Sequence, residues 1–211
     1  MSKGFIPARN WLTATALLAL FGCTSSQGLP PATIYPAKTD SAASYNYLIG
    51  PGDQLNIFVW RNPEVSGSFV VRPDGMITTS LVEDIPASGK TPTQLARAIE
   101  DRLSTYLREP IVTVTVSNFV GPYNEQIRVI GEAAQPRAVS YGKNMTLLDV
   151  MIAVGGLTEF ADGNQAVLVR IENGKQRQYQ LSIEDLIKSG DIKANVDVLP
   201  GDIIVIPEAW F

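Results

Sequence analysis

The chain has 211 residues, with 17 basic and 21 acidic side chains, and its formal net charge is −4 at neutral pH. Nucleic acid is bound by basic surfaces, so this mild acidity argues against a nucleic-acid partner. The chain has no histidine and a single cysteine, which removes the usual general base, the histidine-containing triads and nearly every zinc site. We therefore expect no catalytic residue, no cofactor, no metal site and no enzymatic activity.

Residues 1–22 are predicted to be a lipoprotein signal peptide. Two basic residues precede an apolar run over residues 11–21, which is too short to span a membrane but suits the hydrophobic region of a secretory signal. The lone Cys23 follows where such a leader is cut, and residues 20–23 resemble a bacterial lipobox. We predict that Cys23 becomes the lipidated N-terminus. The alternative is an ordinary signal peptide followed by a free or buried cysteine.

Residues 23–45 are predicted to be a lipid anchor and flexible linker. The segment after Cys23 is rich in Ser, Thr, Ala and Pro and lacks apolar periodicity. A flexible chain of this length has an r.m.s. reach of about 25 Å, which clears the headgroups of a bilayer leaflet. Thr24 stands where an aspartate retains many Gram-negative lipoproteins in the inner membrane. We therefore expect the protein at the outer membrane, facing the periplasm.

A first β-rich domain is predicted from residue 46 to residue 120. From Gln54 to Trp60, every second residue is aliphatic (Leu55, Ile57 and Val59), which is typical of a half-buried strand. Residues 68–72 and 76–81 are predicted to be two strands that pair as a hairpin. Their turn would be Pro73-Asp74-Gly75, where the glycine can adopt the left-handed conformation.

One helix is predicted in this domain, and its start is the clearest local signal in the chain. Thr91 can cap the helix, Pro92 suits its first turn and Gln94 completes a capping box. An apolar stripe with a spacing of four follows, formed by Leu95, Ile99, Leu103 and Leu107. We expect this helix to end at Glu109, which precedes a proline, and a strand to follow over residues 111–116.

A second small domain is predicted over residues 121–211, after the Gly121-Pro122 boundary. Its predicted elements are a strand at 126–131, an extended piece at 137–141, a helix at 147–154, paired strands at 166–171 and 175–181, a short helix at 183–188 and a strand at 203–206. Thr146 and Gly155-Gly156 bound the first of these helices. Asn173-Gly174 is a strong signal for a type I′ hairpin turn.

The sequence Pro-Gly-Asp occurs twice, and each copy precedes a hydrophobic strand. The copies are Pro51-Gly52-Asp53 and Pro200-Gly201-Asp202. Proline restricts φ, glycine can take a positive φ and aspartate can accept hydrogen bonds from nearby amides, so each copy predicts a tight corner. We interpret all six residues as architectural, not as ligand contacts.

Other polar and aromatic residues were candidates for chemistry. A glycosidase needs only two carboxylates. We interpret Glu184-Asp185 as acids that favour a helix start, and Glu83-Asp84 as a solvated loop, with an acid/base pair as the alternative. Five aromatic residues have rings that could stack on sugars, and we expect most of them in the core or at an interface: Tyr45, Tyr47, Trp60, Tyr106 and Tyr123.

These motifs resemble those of a known family. Four blocks resemble the periplasmic polysaccharide export domain: residues 47–53, 71–75, 89–91 and 110–114. Residues 126–207 resemble the soluble-ligand-binding β-grasp (SLBB) module, at residues 129–132, 146–149, 155–157 and 199–202. With the leader, the chain is similar to outer-membrane polysaccharide export lipoproteins of the Wza type. Its single SLBB module and its ending resemble the short branch associated with exosortase (PEP-CTERM) loci.

The resemblance implies an α+β fold with two small β-rich domains, a polysaccharide export domain and a β-grasp SLBB domain. It implies a homo-oligomeric ring in a conduit that exports exopolysaccharide, with an inner-membrane chain-length regulator or tyrosine kinase as partner. Large members of the family carry further SLBB modules and a C-terminal amphipathic helix that crosses the outer membrane. This chain stops five residues after Ile206, so we expect an outer-membrane β-barrel partner to complete the route.

Two other functions stay open at this point. One is an envelope lipoprotein that binds carbohydrate and retains it without forming a conduit; such a binder can be monomeric. The other is a carbohydrate-active enzyme that uses Glu83-Asp84. Replacement of both carboxylates by amides would abolish polymer processing by the enzyme, whereas a conduit would tolerate the change.

Overall fold

The computed structural model describes residues 36–210. They form two domains, each with its own core of buried apolar residues, one drawn from residues 49–116 and the other from residues 127–206. Both domains consist of short strands with one or two helices, so the predicted α+β fold with two small domains is confirmed. Within this part of the chain, no helix has the length and apolar character needed to cross a membrane.

Ten strands and three α-helices are present in residues 36–210. In chain order they are β1 (Gln54–Val59), β2 (Gly67–Val70), β3 (Met76–Ile77), β4 (Ile85–Pro86), α1 (Pro92–Leu103), β5 (Val112–Asn118), β6 (Ile127–Gly131), β7 (Ala138–Val139), α2 (Leu147–Ala153), β8 (Ala166–Glu172), β9 (Lys175–Leu181), α3 (Ile183–Lys188) and β10 (Ile203–Ile206). The elements up to β5 belong to the first domain, and the others belong to the second.

The first domain is a three-stranded antiparallel sheet covered on one face by α1. β1 lies in the middle, in the order β2-β1-β5, and its Leu55, Ile57 and Val59 are buried while the alternate residues are exposed. α1 packs against β5 and adds its apolar stripe to the same core. Full burial of one such aliphatic side chain stabilises the fold by about 1.5–3 kcal/mol.

The start of α1 is confirmed, but its predicted end is wrong. The Thr91 hydroxyl accepts from the Gln94 amide (3.2 Å), and the Gln94 side chain accepts from the Thr91 amide (2.9 Å). The helix ends at Leu103, because the Ser104 hydroxyl turns back to the Asp101 carbonyl (2.6 Å) and the chain enters a series of turns. The predicted final residue, Glu109, has a positive φ of 49°.

The predicted hairpin of residues 68–72 and 76–81 is also wrong. The turn before Met76 is present, with the Gly75 amide donating to the Arg72 carbonyl (2.8 Å). The Arg72 amide also donates to the Met76 carbonyl (2.9 Å). Beyond that bond, however, β2 pairs with β1 and β3 pairs with β4, so the two predicted strands form no ladder with each other. Residues 67–70 pair with β1 instead. The Val71 amide donates to the carbonyl of Asp53, which forms the corner before β1 (2.9 Å).

The second domain is a five-stranded sheet in the order β7-β6-β10-β8-β9. The last strand of the chain, β10, lies in the middle, parallel to β6 and antiparallel to β8. Ile204 and Ile206 of β10 are buried in the core of this domain together with Leu147 and Met151 of α2. β10 therefore connects the β7-β6 pair on one side of the sheet to the β8-β9 pair on the other.

Local predictions in the second domain are confirmed. β8 and β9 pair across Asn173 and Gly174, which both have positive φ, as a type I′ turn requires. Thr146 and Asp149 form the capping box of α2, and positive φ at Gly155 and Gly156 accompanies its end. α3 covers the predicted residues 183–188.

The end of the predicted linker contacts both domains. The Lys38 amide donates to the Glu125 carboxylate (2.7 Å), and its ammonium group donates to the Gly89 carbonyl (3.1 Å). The Pro36 carbonyl accepts from the Asn124 side chain (3.0 Å). These contacts hold residues 36–45 against the fold, while residues 23–35 of that predicted linker lie outside the described residues.

Candidate functional site

The first Pro-Gly-Asp corner is a tight turn that buries a carboxylate. The Asp53 amide donates to the Gly50 carbonyl (3.2 Å), and Gly52 has a φ of 89°. The Asp53 side chain is fully buried. Its carboxylate accepts four hydrogen bonds, from the amides of Gly50 (2.9 Å), Val120 (2.7 Å) and Gly121 (2.9 Å) and from the hydroxyl of Tyr47 (2.6 Å). Charge-assisted bonds of this kind offset the cost of burying the charge.

The second corner repeats this turn. The Asp202 amide donates to the Leu199 carbonyl (3.2 Å), and Gly201 has a φ of 84°. The buried Asp202 carboxylate accepts from the Leu199 amide (2.7 Å) and from the guanidinium of Arg170, whose Nε and Nη2 donate at 2.9 and 2.7 Å. Desolvation is therefore balanced here by a bidentate ion pair.

The two corners share their turn but hold different parts of the molecule. In both, the aspartate bonds the amide three residues before it. The remaining acceptor capacity of Asp202 is used within the second domain, by Arg170 of β8. The Asp53 carboxylate accepts further bonds from the amides of Val120 and Gly121, which lie in the segment between the two domains. The first corner therefore acts as a joint between the domains.

The connecting segment, residues 119–126, is held from both sides. The Ser140 hydroxyl donates to the carbonyls of Phe119 (2.9 Å) and Val120 (3.1 Å). The buried Gln126 side chain donates to the Val120 carbonyl (3.1 Å) and the Gly121 carbonyl (3.3 Å). The amides of the segment thus donate to Asp53, and its carbonyls accept from Ser140 and Gln126. These bonds fix the conformation of the joint.

Gly50 packs directly against this segment. A Cβ atom on Gly50 would lie 2.0 Å from the Gly121 carbonyl carbon and 2.3 Å from the Pro122 nitrogen. Real Cβ atoms do not approach backbone so closely, so only glycine fits at this contact. Gly201 of the second corner has a similar role, because its Cβ would lie 2.8 Å from the Asn124 carbonyl oxygen.

A narrow cleft at the joint is lined by tyrosines and by Glu125. Tyr45 and Tyr141 stack edge to face with ring centroids 4.8 Å apart, and the Tyr45 hydroxyl donates to the Tyr141 carbonyl (3.1 Å). Burial raises the pKa of Tyr45 to about 12, with a further contribution from the negative charge of Glu125. Burial and the hydrogen bond to Asp53 raise the pKa of Tyr47, so both phenols stay neutral and donate.

Glu125 is the least satisfied group of the joint. Its Oε1 accepts from the Lys38 amide, whereas its Oε2 and the Tyr141 hydroxyl are buried without a hydrogen-bond partner among the described residues. Burial raises the pKa of the Glu125 carboxyl, and the Lys38 amide and charge oppose this shift only in part. Burial therefore disfavours the charged form of this carboxyl more than it would be disfavoured in an exposed glutamate.

The acidic pairs occupy ordinary structural positions. Asp84 accepts from Arg72 (2.6 Å) on the surface, and the same guanidinium contacts Asp74. Glu184 pairs with Lys188 across one turn of α3 (2.7 Å), and Asp185 accepts from the Asn164 side chain (3.0 Å). Residues 36–210 contain no cluster of three potential metal ligands.

The five aromatic candidates separate into two groups. Tyr45 and Tyr47 are partly buried at the joint. The other three are strongly exposed and therefore lie outside the core, so for them the expectation of a core or interface position reduces to an interface, which stays a prediction: Trp60, Tyr106 and Tyr123. Cys23, the predicted lipidation site, lies outside the described residues.

Sequence reasoning missed several residues of the joint. Gly50 and Glu125 of the joint, and Arg170 of the second corner, show no local sequence pattern because the groups that they contact lie far away in the chain. Gln126 bonds carbonyls five and six residues before it, and no motif marks it either. The separation is 32 residues for Arg170–Asp202 and 68 for Gly121–Asp53. The sequence does indicate that partners must exist, because an aspartate that is buried in a corner needs hydrogen-bond donors. It does not indicate which residues supply them.

Comparisons with known proteins identify both domains. Residues 41–117 match the sequence model of the polysaccharide biosynthesis/export proteins, and residues 125–206 match that of the SLBB domain. The chain belongs to the Wza-type polysaccharide export proteins. The families that match are polysaccharide export proteins and are not known as enzymes.

Three relatives agree with this assignment. The chain is 27% identical over 187 residues to the EPS I polysaccharide export outer membrane protein EpsA of Ralstonia nicotianae, covering 77% of this chain and 47% of that protein. It is 26% identical to the exopolysaccharide production protein ExoF of Rhizobium meliloti, covering 79% and 42%. It is 27% identical to the capsule polysaccharide export protein BexD of Haemophilus influenzae, covering 76% and 43%. The chain thus spans less than half the length of each relative.

Proposed function

We propose that this polysaccharide export protein is a lipid-anchored component of the conduit that carries exopolysaccharide across the cell envelope. The observation that carries the proposal is the succession of an export domain and an SLBB domain in one chain. Relatives that share this region are named as export proteins for exopolysaccharide or capsule. The proposed location is the outer membrane, with the two domains in the periplasm and Cys23 as the lipidated residue.

In this proposal several copies close into a ring around a polar passage. The joint supports such a role, because Asp53 and Gly50 fix the connection of the two domains by hydrogen bonds and backbone contact. A ring of two-domain subunits keeps an open lumen only if each subunit holds its shape. Closure would also cover strand edges, such as that of β9, which a single copy leaves exposed.

The proposed partners follow from the same role. Exopolysaccharide is the substrate, a second outer-membrane protein completes the route, and an inner-membrane chain-length regulator or tyrosine kinase is the partner on the other side of the periplasm. The passage itself requires no chemical step, since a hydrated polymer has only to pass through a polar lumen without tight binding.

Anchoring and assembly can be tested on the full-length protein. We expect wild type to be recovered in outer-membrane fractions, to incorporate labelled fatty acid and to migrate in mild detergent at a mass of several subunits. Cys23→Ser should lose the label and the membrane association. A wild-type protein that is a monomer in mild detergent would contradict the conduit and favour a carbohydrate-binding lipoprotein that retains polymer.

A further inference from the structure

The exposed face of the first sheet has an unusual composition. Strands β1, β2 and β5, together with Trp60 and Ile111 at their ends, contain no charged residue. The face opposite α1 presents alternate residues of β1 and β5, and we name its centre the outer sheet face: Asn56, Phe58, Trp60, Thr113 and Thr115. All five are exposed. Exposed strands normally carry charged side chains, so the absence of charge from these three strands requires an explanation.

Two aromatic rings stand at the centre of the outer sheet face. Phe58 and Trp60 are 52% and 54% exposed, although each is large and apolar. Their ring centroids are 6.3 Å apart and their planes meet at 73°. In an edge-to-face pair, each ring keeps at least one face uncovered by the other. The Trp60 amide donates to the Ile111 carbonyl (2.9 Å), which fixes the backbone of this residue beside β5.

Neutral polar side chains stand next to the rings. Thr113 lies opposite Phe58 across the β1–β5 pair, and Thr115 lies opposite Asn56. Cross-strand neighbours of this kind are about 4.5–5.5 Å apart at Cβ, so the hydroxyl and amide groups lie within reach of anything that covers the rings. The outer sheet face therefore combines aromatic surface with hydroxyl and amide hydrogen-bonding groups and has no charge.

We infer that the outer sheet face is a weak binding site for a neutral stretch of polysaccharide. A sugar ring has an apolar C–H surface that packs on an aromatic ring, and hydroxyl groups at its edge that pair with amide and hydroxyl side chains. A uniformly neutral face matches a neutral polyol and offers no ion pair to an anionic polymer. This inference rests on the proposed function, and it specifies one surface that contacts the exported polymer.

A second copy of the chain is the other occupant to consider. The centre of a subunit interface is mainly apolar and densely packed, and the exposed Val70 and Ile111 extend the apolar surface beside the outer sheet face. Three of the five residues of the outer sheet face itself are hydroxyl or amide residues, which favours carbohydrate. Subunit contact becomes an outcome that the experiment must detect.

The experiment is affinity electrophoresis of the full-length protein in mild detergent. The native gels contain one of three neutral polymers (hydroxyethyl cellulose, dextran or galactomannan) or anionic polygalacturonate. We expect wild type to be retarded by at least one neutral polymer and not by polygalacturonate. The double variant Phe58→Ala/Trp60→Ala should lose about tenfold in affinity, equivalent to about 1.4 kcal/mol. Tyr106→Ala and Tyr123→Ala, which remove exposed rings elsewhere, should bind as wild type does.

Three results would overturn the inference. These are the absence of retardation by all three neutral polymers, equal retardation of the double variant and wild type, or a double variant that binds sugar normally but has a smaller native mass. The last result would assign the outer sheet face to subunit contact. Failure of the proposed function is recognised separately, because it would leave extracellular polymer unchanged in cells that lack the chain, whatever the gels show.

Discussion

At the scale of single residues, the joint between the domains depends on buried carboxylates. Asp53 is fully buried and satisfies three amides and one hydroxyl, which belong to both sides of the joint. A buried donor that loses its partner costs about 1–3 kcal/mol. A single substitution can therefore weaken the connection more than the loss of a surface ion pair can.

Asp53→Ala is expected to lower the free energy of unfolding by at least about 2 kcal/mol, because it leaves the Gly50, Val120 and Gly121 amides without an acceptor. Chemical denaturation of the full chain measures this change. Asp74→Ala is the control, since it removes a carboxylate that makes exposed contacts, an ion pair with Arg72 and a hydrogen bond from the Met76 amide (3.1 Å), and it should cost less than about 1 kcal/mol. Equal losses in the two variants would contradict the role of Asp53.

Glu125 makes stability depend on pH in a defined direction. Burial raises the pKa of this carboxyl in the folded state above its ordinary value of 4.5, so the folded protein binds more protons than the unfolded one between that value and the raised pKa. The stability contribution of Glu125 is therefore largest at low pH and is lost as the pH rises through the folded pKa.

Glu125→Gln is expected to raise the Tm at neutral pH, because the amide keeps an acceptor for Lys38 without burying a charge. This advantage should shrink as the pH falls toward 4 and wild-type Glu125 becomes protonated. Thermal denaturation of both proteins across this range measures the difference. A gain in Tm that grows on acidification would show that the sign is wrong.

At the scale of elements, the connecting segment and the first corner are in backbone contact. Gly50→Ala is expected to destabilise the protein strongly, because the new Cβ would overlap the Gly121 carbonyl carbon at 2.0 Å. Gly142→Ala is the matched control: it adds the same methyl group where no atom lies within 4 Å. A fall in Tm for Gly50→Ala that does not exceed that of Gly142→Ala would contradict this contact.

Elements set by neighbouring residues were predictable from the sequence. α1 begins where Thr91 and Gln94 form a capping box, and β8 and β9 pair across Asn173-Gly174, because these signals act over a few residues. The wrong predictions concern competition between distant partners. β2 pairs with β1 and leaves β3 to pair with β4, and no local pattern decides between those alternatives.

The joint and the outer sheet face were predictable only in part for the same reason. The two corners are visible as repeated Pro-Gly-Asp, and Trp60 is one of five aromatic residues whose rings could stack on sugars, although the sequence favours core or interface positions for most of them. The partners of these residues come from distant parts of the chain: Val120 and Gly121 reach Asp53 over 67 and 68 residues, and Thr113 reaches Phe58 through sheet pairing. Residue type marks such positions, but tertiary structure brings them together.

At the scale of the whole molecule, two small domains are held together at the joint by the bonds of Asp53 to Val120 and Gly121. Domains of this size bury a smaller fraction of their surface than larger ones do. β9 has six exposed residues out of seven, which provides an edge that a neighbouring copy could cover. The proposed ring would thus cover exposed strand edges and enclose a passage for the polymer.

The most direct test of the export role is where polymer accumulates in cells that lack this chain. We expect extracellular exopolysaccharide to fall sharply while polymer or its precursors build up in the periplasm, with recovery when the wild-type chain is restored. Complementation by Cys23→Ser should restore export poorly. Normal amounts of polymer outside the cells, changed only in length or attachment, would contradict a conduit and favour the retention or enzyme alternatives.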